Sequence, residues 1–129
     1  MPNVVKVGDR VSIDNVDWKS NKRTLLLAFA PECHFCTASA PFYRQLVEKT
    51  SGGASPHFIG VFPSQLSDGR TYLKGLGVKI ADVRGASFRQ LHVLGTPTLM
   101  LVNADGVATN VWEGRLPPDK ETEVFRAVE

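Results

Sequence analysis

Residues 24–36 read TLLLAFAPECHFC, an apolar run that leads directly into two cysteines separated by two residues. The run from Thr24 to Ala30 has the composition of a central strand buried on both faces. Pro31 ends it, and from Cys36 onward apolar residues recur at helical spacing. The pattern predicts a strand that delivers Cys33 to the start of a helix. In that position a Cys-x-x-Cys pair can cycle between dithiol and disulfide.

Apolar patterns and turn residues divide the rest of the chain into further strands and helices. A strand, a helix and a second strand in that order imply a right-handed parallel unit. Before and just after the cysteines, the sequence predicts an irregular strand or hairpin over 4–13, a polar connection over 15–23 and a helix from the cysteines to about Lys49 with a kink at Pro41. The middle of the chain is predicted to form a strand over 57–62, a helix over 64–76, a short strand over 78–83 and a short helix over 86–93. The last part is predicted to form a strand over 98–102, a hairpin turn at 103–106, an antiparallel strand over 107–112 and a final helix from about Pro118 that presents Val124, Phe125 and Val128 to the core.

Composition and charge narrow the classes of function. A length of 129 residues with 43% hydrophobic content predicts one domain, 1–129, with its own core. The net charge is only +2 and no Lys/Arg-rich block occurs, so we expect no nucleic-acid partner. No apolar segment approaches the ~20 residues of a membrane-spanning helix, and the start lacks the features of a secretion signal. The chain is expected to be cytoplasmic, or to act in the bacterial periplasm or on an extracytoplasmic face if a signal or anchor has been removed.

Both cysteines lie in this one motif, so no pair remains for a structural disulfide elsewhere. At a helix N-terminus, unpaired backbone N–H groups and the helix dipole favour the thiolate of Cys33, the expected attacking sulfur. Cys36, one turn further on, would resolve the mixed disulfide. The alternatives are a disulfide without turnover and half of a zinc site. Zinc normally needs four ligands, and His34, His57 and His92 are scattered. We therefore expect no metal and no cofactor.

Three neighbouring side chains are candidates for tuning the site. An imidazolium at His34 would favour the thiolate and make the disulfide more oxidising, although His34 is equally compatible with a solvated turn residue. Phe35 is expected to form part of an apolar docking surface. Glu32 could transfer protons or, as a charge, raise the thiol pKa, and the alternative is an exposed carboxylate without a role.

Gly95-Thr96-Pro97-Thr98 precedes the strand predicted over 98–102. A proline there removes a donor from the ladder of strand hydrogen bonds. A cis Thr96–Pro97 bond would expose the backbone of Thr96 where an incoming peptide or the cysteines could meet it. A trans proline at the start of a strand is the alternative. Thr96 and Pro97 are the candidate substrate-binding residues.

In combination and in this order, the motifs resemble the thioredoxin superfamily from about Thr24 to Val128. The resemblance implies an α/β fold with a mixed central sheet of four to five strands flanked by helices. It implies the strand order second, first, third, fourth, with the last two antiparallel to the first two. It also implies that Cys33 is nucleophilic, Cys36 resolving and Pro97 cis.

A helix-strand insertion over 63–85, with the Gly8-Asp9 segment, is more similar to the extracytoplasmic TlpA/ResA-like oxidoreductases. Members of that group commonly reduce or exchange disulfides in exported proteins. The sequence departs from the pattern at Glu32, where a Trp is usual, and in its His-Phe pair between the cysteines. It also departs at Leu27, where thioredoxin itself keeps a buried Asp for proton transfer. His34 favours an oxidising role, whereas the resemblance favours a reducing one.

These observations predict a thiol-disulfide oxidoreductase that acts on protein substrates through a transient mixed disulfide. Its expected partners are protein thiols or disulfides and a redox partner protein, and we expect a monomer. A redox-inactive thioredoxin-like binding module with a structural disulfide is one alternative. A thiol peroxidase, suggested weakly by the insertion, is the other.

Overall fold

Five strands form one sheet in the computed structural model, which describes residues 5–30, 33–49, 55–63 and 66–129. The strands are β1 Thr24–Ala28, β2 His57–Phe62, β3 Asp82–Gly85, β4 Thr98–Val102 and β5 Ala108–Glu113. The helices are α1 Trp18–Asn21, α2 His34–Ala38, α3 Ala40–Lys49, α4 Leu66–Leu76 and α5 Pro118–Val128. None of these helices is long and apolar enough to cross a membrane.

The strand order is β3-β2-β1-β4-β5. Strand β1 is parallel to β2 and antiparallel to β4, and β4 is antiparallel to β5. The predicted order of second, first, third and fourth strand is therefore confirmed, as is the mixed α/β sheet. The predicted direction is right for β4 but wrong for β5: the hairpin reverses the chain after β4, so β5 runs in the same direction as β1 and β2. The inserted segment contributes β3, which pairs in parallel with β2 and ends the sheet on that side.

Every residue of β1 is buried, as expected of a central strand covered on both faces. Because side chains alternate along a strand, β1 contributes to two cores. Leu25 and Leu27 pack with Cys36 and with residues of α3, α4 and α5. Leu26 and Ala28 pack with the amino-terminal segment and with the 86–93 segment. The end of β1 is thereby fixed just before the cysteines.

The single helix predicted from the cysteines to Lys49 is divided into α2 and α3 at Ser39. Pro41 has no N–H and so cannot donate the intrahelical bond that would continue α2 through this point. It fits in the first turn of α3, where such a bond is not needed. The predicted kink is a full break, and α2 is a separate short helix that carries the second cysteine.

The connection predicted over 15–23 and the strand predicted over 78–83 both differ from the structure. The connection over 15–23 is not entirely irregular, because Trp18–Asn21 form α1, which the Asp17 side chain caps by accepting the N–H of Ser20 at 3.0 Å. The strand predicted over 78–83 is β3, which begins only at Asp82. Val78 and Ile80 are buried, but they lie in the segment that precedes the strand. Their burial explains the apolar pattern without any pairing.

The helix predicted over 86–93 is wrong. The segment forms turns, in which Leu91 N–H donates to the Ser87 carbonyl at 3.1 Å and Val93 N–H to the Phe88 carbonyl at 2.9 Å. Leu91 and Val93 are buried, which accounts for the apolar spacing.

At the amino terminus, Arg10 forms one isolated bridge with Val107, where a strand or hairpin over 4–13 was predicted. Residue 4 lies outside the described ranges. The later predictions agree with β2, β4, β5 and α5 to within one residue, and with α4 over 66–76, whereas positions 64 and 65 of the predicted helix lie outside the described ranges. Val124 and Val128 are buried in the core and Phe125 packs against it.

Candidate active site

Cys33 is the N-cap residue of α2, with an extended backbone. Its Sγ accepts the backbone N–H of Cys36 at 3.2 Å. The two cysteines form a disulfide, and their Cα atoms are 5.2 Å apart. Cys33 is half-buried whereas Cys36 is fully buried. Of the two cysteines, only Cys33 is accessible from the surface.

Thr96 contacts the same sulfur from the other side. Its hydroxyl donates to the Sγ of Cys33 at 3.1 Å, and its carbonyl oxygen lies 3.5 Å from that Sγ. The Thr96–Pro97 peptide bond is cis. The Pro97 carbonyl accepts the N–H of Gly114 at 2.8 Å, and the hydroxyl of Thr98 donates to the Gly95 carbonyl at 2.7 Å. The backbone on both sides of Thr96 is thus held in place.

The donors around Cys33 Sγ favour negative charge on this atom. Donation by Cys36 N–H and by the Thr96 hydroxyl stabilises a thiolate more than a thiol, and the N-terminus of a helix adds to this effect. Sequence reasoning had assigned only the backbone of Thr96 to the site. The contribution of its hydroxyl was missed, and the only signal for it was the threonine before Pro97.

The surroundings of Cys36 are apolar. Leu27 is fully buried in the same core as Cys36. Within the described ranges, Thr24, Ser39 and Thr98 are the buried polar residues, so no carboxylate is buried near the second sulfur there. Burial raises the pKa of Tyr43 far above its usual range, although a hydrogen bond with Ser39 opposes the shift. The Tyr43 phenol therefore stays neutral.

The two residues between the cysteines are exposed. The side chain of Phe35 is 54% exposed and contacts the His34 ring edge-on, with 5.6 Å between the ring centroids. Leu94, which sequence reasoning missed, is 57% exposed. Phe35 and Leu94 belong to the two segments that meet at the contact between Cys33 and Thr96. Glu32 lies outside the described residues.

A second unpredicted contact joins the inserted helix α4 to α2. The hydroxyl of Thr37 donates to the carbonyl of Cys33 at 3.2 Å. Tyr72 Oη lies 3.0 Å from the same hydroxyl oxygen, and the two hydroxyl groups share a hydrogen bond. The ring of Tyr72 packs edge-on against Phe62. The insertion thereby braces the first turn of α2.

Among the residues that the structure describes, no group of three or more His, Cys, Asp or Glu side chains is arranged to hold a metal ion. The site as described therefore consists of two sulfurs, the donors around Cys33 and the apolar residues beside them.

No protein-family model matches the sequence, and the search of curated proteins finds no match. Solved structures do match in fold. The thioredoxin domain of a thiol-disulfide oxidoreductase from Bacteroides vulgatus superposes with a TM-score of 0.69 at 14% identity, covering 97% of this chain and 99% of that one.

Two further structures extend this comparison. A secreted disulfide oxidoreductase from Mycobacterium tuberculosis matches with a TM-score of 0.61 at 17% identity, covering 83% of this chain and 82% of that one. An exposed lipoprotein thioredoxin from Streptococcus pneumoniae matches with a TM-score of 0.63 at 21% identity, covering 86% and 87%. The chain therefore has the thioredoxin fold, with its closed cysteine pair at the start of the helix that follows the central strand.

Proposed function

We propose that this protein is a thiol-disulfide oxidoreductase that exchanges disulfides with protein substrates through a transient mixed disulfide. The observation that carries the proposal is the environment of Cys33 Sγ. This half-buried sulfur is bonded to buried Cys36 and accepts hydrogen bonds from the Cys36 N–H and the Thr96 hydroxyl. An accessible sulfur that is stabilised as an anion is both a good nucleophile near neutral pH and a good leaving group.

The exchange proceeds in two displacements. In the reduced protein, the Cys33 thiolate attacks one sulfur of a substrate disulfide, and the other substrate sulfur leaves as a thiolate. Cys36, after losing its proton, attacks Cys33 Sγ, which closes the Cys33–Cys36 bond and expels the second substrate sulfur. Two electrons pass to the substrate. The same steps in reverse oxidise a substrate dithiol.

The surface around Cys33 fits a polypeptide better than a small thiol. Phe35 and Leu94 offer apolar contact, and the backbone of Thr96 beside Pro97 offers polar groups to an extended chain. The reaction requires no metal or cofactor. We place the protein outside the cytoplasm, with support from the secreted and exposed proteins that share its fold.

The proposal is tested by trapping. The variant Cys36→Ala removes the resolving sulfur, so we expect it to accumulate mixed disulfides with partner proteins through Cys33. Reducing and non-reducing electrophoresis with mass spectrometry would identify those partners. The matched control, Cys33→Ala with Cys36→Ala, should trap none.

Equilibration of the unsubstituted protein with glutathione, followed by alkylation of free thiols, measures the redox state directly. A cysteine pair that stays closed against both dithiothreitol and glutathione would refute the proposal. It would favour the alternative of a binding module with a structural disulfide.

A further inference from the structure

A cleft of about 390 Å³ lies between α4 and the segment that leads into β3. Its floor consists of three buried aliphatic side chains, Leu73, Val78 and Ile80. None of the candidate active-site residues that the structure describes lines it. The cleft belongs to the inserted helix and strand, and the disulfide exchange proposed above leaves it without a role.

Three exposed cations line the cleft, Arg70, Lys74 and Lys79. Arg70 is positioned by donation from its Nη1 to the Ala81 carbonyl at 3.2 Å, which leaves its other donors available. Within the described part of the chain, no carboxylate forms an ion pair with Lys74 or Lys79. The three cations therefore lack a counter-charge from that part of the protein.

The nearest acidic residues in sequence do not supply one. Asp82 follows the cleft directly, but its carboxylate accepts hydrogen bonds from His57 at 2.7 Å and from Arg84 at 2.6 Å. Helical spacing places Asp68 on the face of α4 opposite to Arg70 and Lys74. The cleft thus combines one sign of charge with an aliphatic floor.

We propose that this cleft docks an acidic segment of the protein with which the cysteines exchange disulfides. At least one apolar side chain of that segment lies over Leu73, Val78 and Ile80, and its carboxylates face Arg70, Lys74 and Lys79. This proposal depends on the proposed function in one respect only, namely that the partner is a protein with which the cysteines react. Complementary charge would also raise the rate of encounter with such a partner.

A peptide fits the cleft better than the two other classes of anionic partner. A small anion would use the cations but not the aliphatic floor. A bilayer surface would likewise pair its anionic headgroups with the cations and leave the aliphatic floor unused. Strand β3 ends the sheet beside the cleft, which leaves room for an extended chain along that side.

The test measures binding of the dye-labelled peptide Glu-Glu-Leu-Phe-Glu-Glu to the intact oxidised protein by fluorescence anisotropy. The control peptide carries Gln in place of each Glu. We compare the double variant Lys74→Glu/Lys79→Glu with Lys6→Glu/Lys19→Glu, which changes the net charge equally. Lys6 and Lys19 are exposed and adjoin Val5 and Trp18, which pack on the other face of the sheet.

We expect the first double variant to weaken binding of the acidic peptide at least about tenfold, and the second to change it less than about twofold. Absence of binding, equal binding of the Gln peptide or equal weakening in both double variants would overturn the proposal. The proposal would also fail if inorganic phosphate displaced the labelled peptide as effectively as the unlabelled peptide does, because the cleft would then be a simple anion site. Binding only to phosphatidylglycerol vesicles would indicate a membrane surface.

Redox measurements separate this proposal from the proposed function. The Lys74→Glu/Lys79→Glu variant should reach the same equilibrium with glutathione as the unsubstituted protein. If the cysteine pair is redox-active but the peptide does not bind at the cleft, the docking proposal is wrong and the proposed function stands. Peptide binding in a protein with inert cysteines overturns the assignment of the partner as a redox partner.

Discussion

The hydroxyl of Thr96 donates a hydrogen bond to the Sγ of Cys33 at 3.1 Å, across a sequence separation of 63 residues. Of the two groups that donate to this sulfur among the described residues, it is the one that a substitution can remove without disturbing α2. The backbone N–H of Cys36, the other donor, is fixed by the helix.

Thr96→Val removes this donor and keeps the side-chain shape. We expect the pKa of the Cys33 thiol in the reduced protein to rise, because a hydrogen bond to a partly exposed anion is lost. The reduced form is destabilised, so the reduction potential should fall by roughly 15 to 30 mV. Thiolate absorbance against pH and equilibration with glutathione measure the two effects.

The control Thr96→Ser retains the hydroxyl, so its thiol pKa and reduction potential should stay close to those of the unsubstituted protein. A reduction potential that rises in Thr96→Val would show that the Thr96 hydroxyl does not stabilise the thiolate.

Tyr72→Phe tests the brace between α4 and α2. It removes the phenol that lies 3.0 Å from Thr37 Oγ1 and retains the ring that packs on Phe62. We expect a loss of about 0.5 kcal/mol in the free energy of unfolding, since this hydrogen bond is exposed. In a double-mutant cycle with Thr37→Val, the two losses should be less than additive because they share one interaction. Urea unfolding of the oxidised protein gives all four values, and strict additivity would show that the contact contributes nothing.

The central strand and the position of the cysteines could be predicted because their signals are local. An apolar run, a proline and helical spacing lie within one short stretch of the chain. The 86–93 segment could not be predicted in this way. Its apolar residues have helical spacing, yet backbone bonds such as Val93 N–H to the Phe88 carbonyl wind it into turns against the core.

The same limit applies to the site. The contacts of Thr96 with Cys33 and of Tyr72 with Thr37 join distant segments, so no local pattern reports them. The insertion itself could be recognised from the sequence, but the brace that it provides and the cations that it gathers depend on how α4 packs.

Gly69→Ala probes that packing, with Gly75→Ala on the same helix as its control. A Cβ at Gly69 would lie 2.6 Å from Phe62 Cδ2, whereas a Cβ at Gly75 meets nothing within 4 Å. We expect Gly69→Ala to lower the free energy of unfolding by about 1–3 kcal/mol through overpacking. Gly75→Ala should raise it by up to about 1 kcal/mol, because alanine favours a helix more than glycine does. Chemical denaturation measures both, and equal effects of the two substitutions would show that α4 does not pack on Phe62 through Gly69.

Asp82 gives the stability of the edge strand a dependence on pH. Burial raises the pKa of this carboxyl, but the hydrogen bonds and charges of Arg84 and His57 outweigh burial and hold the pKa below its usual value of 3.8. A depressed pKa in the folded state means that the stabilisation is fully present above pH 3.8 and is lost as the pH falls through the lower, folded value. Asp82→Asn should therefore destabilise the protein at neutral pH by no more than about 1 kcal/mol, and the difference from the unsubstituted protein should shrink toward pH 2. Asp14→Asn changes an exposed acid that accepts from Arg84 through its backbone carbonyl and not through its carboxylate, so its difference should stay small throughout. Urea denaturation from pH 2 to 7 follows both variants, and a difference for Asp82→Asn that grew on acidification would reverse the sign derived from the geometry.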